Sequence, residues 1–82
     1  MQAGLTGRIV TVGECMVEMA PNADGSFRMG FAGDSLNTAW YLRRCLTETP
    51  IDYLTAVGTD ALSDRMVGFF QGAGLGTGHV AR

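Results

Sequence analysis

The sequence predicts an α/β fold: a piece of parallel sheet with flanking helices, and an antiparallel hairpin set beside it. Three observations carry that expectation. Arg8-Ile9-Val10-Thr11-Val12, ended by Gly13, is a β-branched apolar run of the kind buried on both faces of a parallel sheet. From Ser35 the apolar residues Leu36, Ala39, Leu42 and Leu46 return at three- and four-residue spacing, the period of a helix that packs by one face. Ile51-Asp52-Tyr53-Leu54-Thr55-Ala56-Val57, placed between Pro50 and Gly58, reads as a second buried strand, because Pro50 stops any continuation of the helix. Strand, helix and strand in this order imply a right-handed parallel crossover.

Between the first strand and the helix, Val17-Glu18-Met19-Ala20 and Phe27-Arg28-Met29-Gly30-Phe31 alternate apolar and polar residues. They flank Pro21-Asn22-Ala23-Asp24-Gly25-Ser26, which is rich in turn formers. The expected hairpin covers about residues 17–31, and its alternation predicts one covered face and one open face that flanks solvent or a ligand. Asp34 or Ser35 is the expected N-cap of the first helix, and Arg43 and Arg44 suit its C-terminal dipole. A second helix is expected to start near Thr59 or Asp60, to turn Leu62, Met66, Phe69 and Phe70 to the core and to end in the glycines from Gly72 onward. Residues 75–82 carry no assignable pattern, and no repeat, low-complexity tract or linker is visible.

Composition narrows the function classes. Of 82 residues, 46% are hydrophobic, and six arginines without a lysine face eight acidic residues for a formal charge of -2. A disordered tail carries fewer apolar residues, and a protein that grips nucleic-acid phosphates carries a basic excess, so no nucleic-acid partner is expected. Apolar runs are far shorter than the roughly 20 residues that cross a bilayer, and no signal-peptide pattern opens the sequence. No membrane partner is therefore expected, and the expected location is cytoplasmic. Cys15 and Cys45 are then expected to be buried thiols and not a disulfide. With no Cys-x-x-Cys and His79 as the sole histidine, zinc has no support. Twelve glycines in so short a chain suit a piece of a larger α/β protein, and a fragment is the expected status.

Two glycine regions invite a ligand. Gly72-Ala73-Gly74-Leu75-Gly76-Thr77-Gly78 follows a helix, whereas phosphate-cradling loops follow a strand and open a helix, and a P-loop also needs a lysine. The run is therefore expected to cap and connect. Gly13-Glu14 and Ala32-Gly33-Asp34 stand where a strand leaves the sheet or a helix begins, the position at which open α/β sheets bind ligands. In Ala32-Gly33-Asp34-Ser35-Leu36-Asn37-Thr38-Ala39, small residues admit a ligand to the backbone and the first helical turn offers N–H groups. Asp34 and Asn37, three residues apart on one helix face, suit the hydroxyls of a polyol. An N-cap role for Asp34 and a local bond for Asn37 fit the same residues.

The residues also resemble a known family. Gly13-Glu14-Cys15-Met16-Val17-Glu18-Met19, the stretch from Phe27 through Gly33-Asp34-Ser35-Leu36-Asn37-Thr38-Ala39 to Arg44, and Leu54-Thr55-Ala56-Val57-Gly58-Thr59-Asp60 are similar to the opening of 2-keto-3-deoxygluconate kinases (2-dehydro-3-deoxygluconokinases). These belong to the ribokinase-like (PfkB) carbohydrate kinases. In the wider superfamily a glycine pair precedes the asparagine. Ala32-Gly33 with the inserted Asp34 departs from that pattern in the manner of the keto-deoxy-sugar branch.

The resemblance implies a ribokinase-like fold of which residues 1–82 are an N-terminal part, with the hairpin belonging to a lid. It implies that Gly33, Asp34 and Asn37 line a sugar site and that Glu18 takes the place of a sugar-contacting acid, although the alternation alone also fits an outward-facing hairpin residue. ATP and Mg2+ would serve the complete enzyme, with no catalytic, nucleotide or metal residue in this segment: Gly72-Ala73-Gly74-Leu75 mimics the family's Gly-Ala-Gly-Asp start but has leucine for the catalytic aspartate. The implied partners are a small sugar acid and, through the lid, a second copy of the chain. A fructokinase or other PfkB sugar kinase, and a small sugar-binding or interaction module without catalysis, are the alternatives.

Overall fold

The computed structural model describes residues 7–82, and six elements follow one another along them. These are β1 (Ile9–Val12), β2 (Met16–Pro21), β3 (Phe27–Ala32), α1 (Asp34–Cys45), β4 (Ile51–Leu54) and α2 (Ala61–Gly72). β1 and β4 pair in parallel with Ile9 opposite Ile51 and Val12 opposite Leu54, so the expected crossover through a helix is present. β2 and β3 pair antiparallel from Met16 and Ala32 to Pro21 and Phe27, so β2 is one residue longer at both ends, and β3 one residue longer at its C-terminal end, than the alternation predicts. The turn between them is closed by the Asn22 N–H, which donates to the Ser26 carbonyl at 2.8 Å, and by Gly25 at φ 88.

One core joins the elements. Leu36 and Ala39 of α1, Ile51 and Tyr53 of β4, Met66 and Phe70 of α2, and Leu75 are all buried. Leu62 and Phe69 of the expected α2 stripe are only half-buried. The Tyr53 and Phe70 rings meet edge to face at 5.0 Å, while Trp40 stacks on Phe69 at 5.8 Å with the Arg44 guanidinium 4.2 Å from its centroid. Asp60 caps α2, its carboxylate accepting from the Ser63 N–H at 2.9 Å.

Residues 75–82, unassigned in the sequence, add a third chain to the sheet. Gly76 bridges Asp52 and Ala81 bridges Ala56, both in parallel, with the Tyr53 N–H donating to Gly76 at 3.0 Å and the Val57 N–H to Ala81 at 2.8 Å. Two single bridges leave no periodic trace in sequence. They also explain why the second strand, expected through Val57, ends at Leu54: beyond it the chain pairs by isolated bridges only.

Four further expectations need correction. β1 is not buried on both faces: Thr11 is 9% exposed but Val12 is 65% exposed, because α1 and α2 both lie against the Ile9, Thr11, Ile51 and Tyr53 side and no described element covers the other. The hairpin's apolar face is covered only at its base, where Phe31 packs on Phe69 with ring centroids 5.4 Å apart; farther out Met19 and Phe27 are exposed, as is Met16, since the hairpin stands apart from the β1–β4 sheet. The N-cap of α1 is neither Asp34 nor Ser35 but Gly33, and no side chain caps the N–H groups of the first turn. Cys45 is exposed and Cys15 half-buried, both as free thiols. The α1 helix stops one residue short of Leu46, so Cys45 falls in its last turn, away from the core.

Candidate functional site

The site is built where β1 ends. Gly13 leaves the sheet with its N–H donating to Leu54 at 3.2 Å, and the following Glu14 and Cys15 pass against the start of α1. That start is Gly33, buried and held at φ 140 and ψ 146, a region that L side chains rarely enter. A Cβ there would stand 2.7 Å from the Glu14 carbonyl oxygen and 3.6 Å from the Cys15 Cα. Glycine is thus required twice, for its dihedral and for the close approach of two backbones.

A side-chain relay fixes that approach. Ser35 Oγ lies 3.3 Å from the Glu14 carbonyl, to which it donates, and 2.9 Å from the Tyr53 hydroxyl. The result is a cleft of about 310 Å³ lined by Glu14, Met16, Gly33, Asp34 and Ser35. Two exposed carboxylates, Glu14 and Asp34, face a helix start whose first N–H groups have no side-chain cap. Acceptors beside donors suit hydroxyl groups, which do both. Burial pushes the Cys15 thiol up and the Tyr53 hydroxyl up, so both stay protonated near neutral pH and neither is poised as a base or nucleophile.

The four sequence-predicted site residues do not share one cleft. Gly33 and Asp34 do. Asn37, one turn along α1, lines a neighbouring cleft of about 200 Å³ with Phe31, Leu36, Trp40, Tyr41 and Phe69. Glu18 is exposed on β2 opposite Gly30 and borders a groove with Ala20, Arg28 and Met29. Gly13-Glu14, singled out by position, lies where expected, while Ser35 and Tyr53 were not read as site residues. A hydroxyl-tipped aromatic in a strand expected to be buried was the available signal for Tyr53.

The glycine run closes α2 in a Schellman arrangement: Gly74, at φ 83, donates to Gln71 at 3.0 Å and Leu75 donates to Phe70 at 3.0 Å. The N–H groups of Ala73, Gly74 and Leu75 are turned into the helix end and that of Gly76 donates to Ile51 at 2.8 Å, so these four are engaged within the fold and not presented to a phosphate. Among the described residues no group of three or more His, Cys, Asp and Glu is placed to hold a metal ion, and His79 Nε2 lies 3.7 Å from Asp52. No described helix is long and apolar enough to cross a membrane.

No protein-family model matches the chain. Among curated proteins it is 38% identical over 79 residues to a 2-dehydro-3-deoxygluconokinase from Dickeya dadantii, covering 94% of this chain and 25% of that protein. Among solved structures it superposes on a 2-dehydro-3-deoxygluconokinase from Thermotoga maritima with a TM-score of 0.82 and 24% identity, covering 93% of this chain and 24% of that one. A PfkB family carbohydrate kinase from Listeria grayi gives a TM-score of 0.81 at 17% identity, with 92% and 25% covered. The chain resembles the PfkB carbohydrate kinases and has their fold. It spans about a quarter of the length of the curated relatives it matches. The parallel β1–β4 pair with its helices and the separate hairpin are thus a ribokinase-like arrangement, as the sequence resemblance implied.

Proposed function

We propose that the chain is the sugar-binding part of an ATP-dependent carbohydrate kinase that phosphorylates 2-keto-3-deoxygluconate. The observation that carries the reading is the Gly33–Asp34 helix start, uncapped by any side chain and open to a cleft at the end of β1. The similarity to 2-dehydro-3-deoxygluconokinases supports it. In this reading Gly33 admits the sugar to the backbone, Asp34 accepts from a hydroxyl, and Asn37 and Glu18 complete the contacts from α1 and from the hairpin. The hairpin, exposed beyond Phe31 at its base, is the lid that closes over the sugar and keeps water from the transferred phosphate. Its exposed Met19 and Phe27 also offer a surface for a second copy of the chain. ATP and Mg2+ supply the phosphoryl group and its charge neutralisation. The described residues do not fit either group.

Glu14 and Asp34 together favour the hydroxyl end of the substrate in this cleft and direct the carboxylate of a sugar acid away from it. The same acidity favours a neutral sugar, so fructose phosphorylation is the second reading. Calorimetric titration of the protein with 2-keto-3-deoxygluconate and with fructose separates the two. Because Gly33 is the cap, Asp34→Ala removes no capping bond, and its stability cost is limited to a dipole contribution of about 0.3 to 1 kcal/mol. Loss of a charged hydrogen bond weakens sugar binding by about 10-fold to 150-fold. Unchanged sugar affinity in Asp34→Ala and Asn37→Ala alike would refute the site.

A further inference from the structure

Tyr53 is fully buried in the middle of β4, and its ring packs edge-on against Phe70. Its hydroxyl does not end among apolar atoms. It reaches the wall of the cleft, 2.9 Å from Ser35 Oγ and 3.5 Å from the Gly13 carbonyl. Ser35 Oγ is in turn 3.3 Å from the Glu14 carbonyl. Two hydroxyls have two protons for these three contacts, and the one to Gly13 is the longest. The best arrangement therefore runs from Tyr53 O–H to Ser35 Oγ and from Ser35 O–H to the Glu14 carbonyl.

We propose that Tyr53 is a positioning residue for the sugar site: acting through Ser35, its hydroxyl sets the spacing between the Glu14 backbone and the Gly33–Asp34 helix start. The inference rests on the sugar-kinase reading above and deepens it. Packing against Phe70 needs only the ring, which phenylalanine would supply equally well. The hydroxyl needs a partner because it leaves the core; besides Thr55, two residues along the chain, the groups it reaches are Ser35 and Gly13, which belong to the two segments that form the cleft. Gly13 obeys the same constraint, since a Cβ there would overlap the Ser35 hydroxyl. A core strand and the substrate-facing backbone are thereby coupled through one relay, without Tyr53 touching the ligand.

The test uses Tyr53→Phe, Ser35→Ala and the double variant of the purified protein, titrated with 2-keto-3-deoxygluconate and followed by thermal melting and amide NMR. Tyr53→Phe is expected to weaken the sugar about 3-fold to 10-fold while melting stays close to wild type, and Ser35→Ala is expected to match it. The double variant is expected to be no weaker than the worse single, because both cut the same relay. Wild-type affinity in Tyr53→Phe, or losses that multiply in the double variant, would overturn the proposal. Should Tyr53→Phe fail to fold, Ser35→Ala at its half-exposed position carries the affinity test. Should the wild type bind no sugar, the kinase reading fails, and the amide shifts decide positioning alone. Changes in Tyr53→Phe concentrated at Gly13, Glu14, Gly33 and Asp34 support it, and unmoved signals there overturn it.

Discussion

The N–H of Leu75 donates to the carbonyl of Phe70, and the same two side chains are buried in one core. One turn of backbone therefore ends α2 and starts the third chain of the sheet. Gly74 makes the turn possible at φ 83, a conformation that costs an L residue about 1 kcal/mol. Gly74→Ala is expected to lower stability by about that amount, whereas Gly72→Ala, at a helical position with open space around it, is expected to be neutral or slightly stabilising. Urea titration of the two variants checks the contrast.

Gly76 has a different reason to be glycine. Its φ is not in the left-handed region, yet a Cβ would overlap the Asp52 carboxylate, which is buried and paired with Arg8 at 2.7 Å. Gly76→Ala is expected to destabilise by about 1 to 3 kcal/mol. Truncating Asp52 removes the obstacle, so the loss in Gly76→Ala should be smaller in an Asp52→Ala background. Equal losses in both backgrounds would contradict the overlap.

Gly33→Ala combines a forbidden φ with a Cβ 2.7 Å from the Glu14 carbonyl. It is expected to cost about 1 to 3 kcal/mol and to displace the Glu14 and Cys15 backbone. Amide hydrogen exchange across residues 13–16 is expected to accelerate more than exchange in α2, which separates local displacement from general loosening.

The pH dependence follows from Asp60. The hydrogen bonds from Ser63 hold its carboxyl below the ordinary value of 3.8. A folded-state pKa that is depressed stabilises the fold above the unfolded pKa, and the contribution is lost as pH falls from there through the folded value. Thermal melts from pH 7 to pH 2 are expected to show a decline below about pH 4 that is shallower in Asp60→Asn, because asparagine still caps the helix but does not titrate.

Particular residues show what sequence could and could not convey. The strand, helix, strand order was legible because Ile9 to Val12, Leu36 to Leu42 and Ile51 to Leu54 each carry their period within a few neighbours. Which side of β1 is covered was not, since burial of Val12 depends on another layer and not on valine. The N-cap was misplaced because Asp34 is a good capping residue, while the φ of 140 that gives Gly33 the role comes from its contact with Glu14. Gly33 and Asp34 were readable as a ligand-facing pair from small and polar residues at a helix start. The Tyr53 link was not readable, because it joins positions 18 and 40 residues away in the chain.

The parallel pairing of β1 also sets an order of events during synthesis. Arg8 and Asp52, whose ion pair closes the sheet, are 44 residues apart, whereas β2 and β3 need only their own turn. At roughly 5 to 20 residues per second, a ribosome releases the hairpin seconds before β4 exists. Through that interval Ile9 to Val12 is an unpaired strand beside a hairpin whose two strands are complete, and its capture waits on Pro50 to Leu54 emerging behind α1.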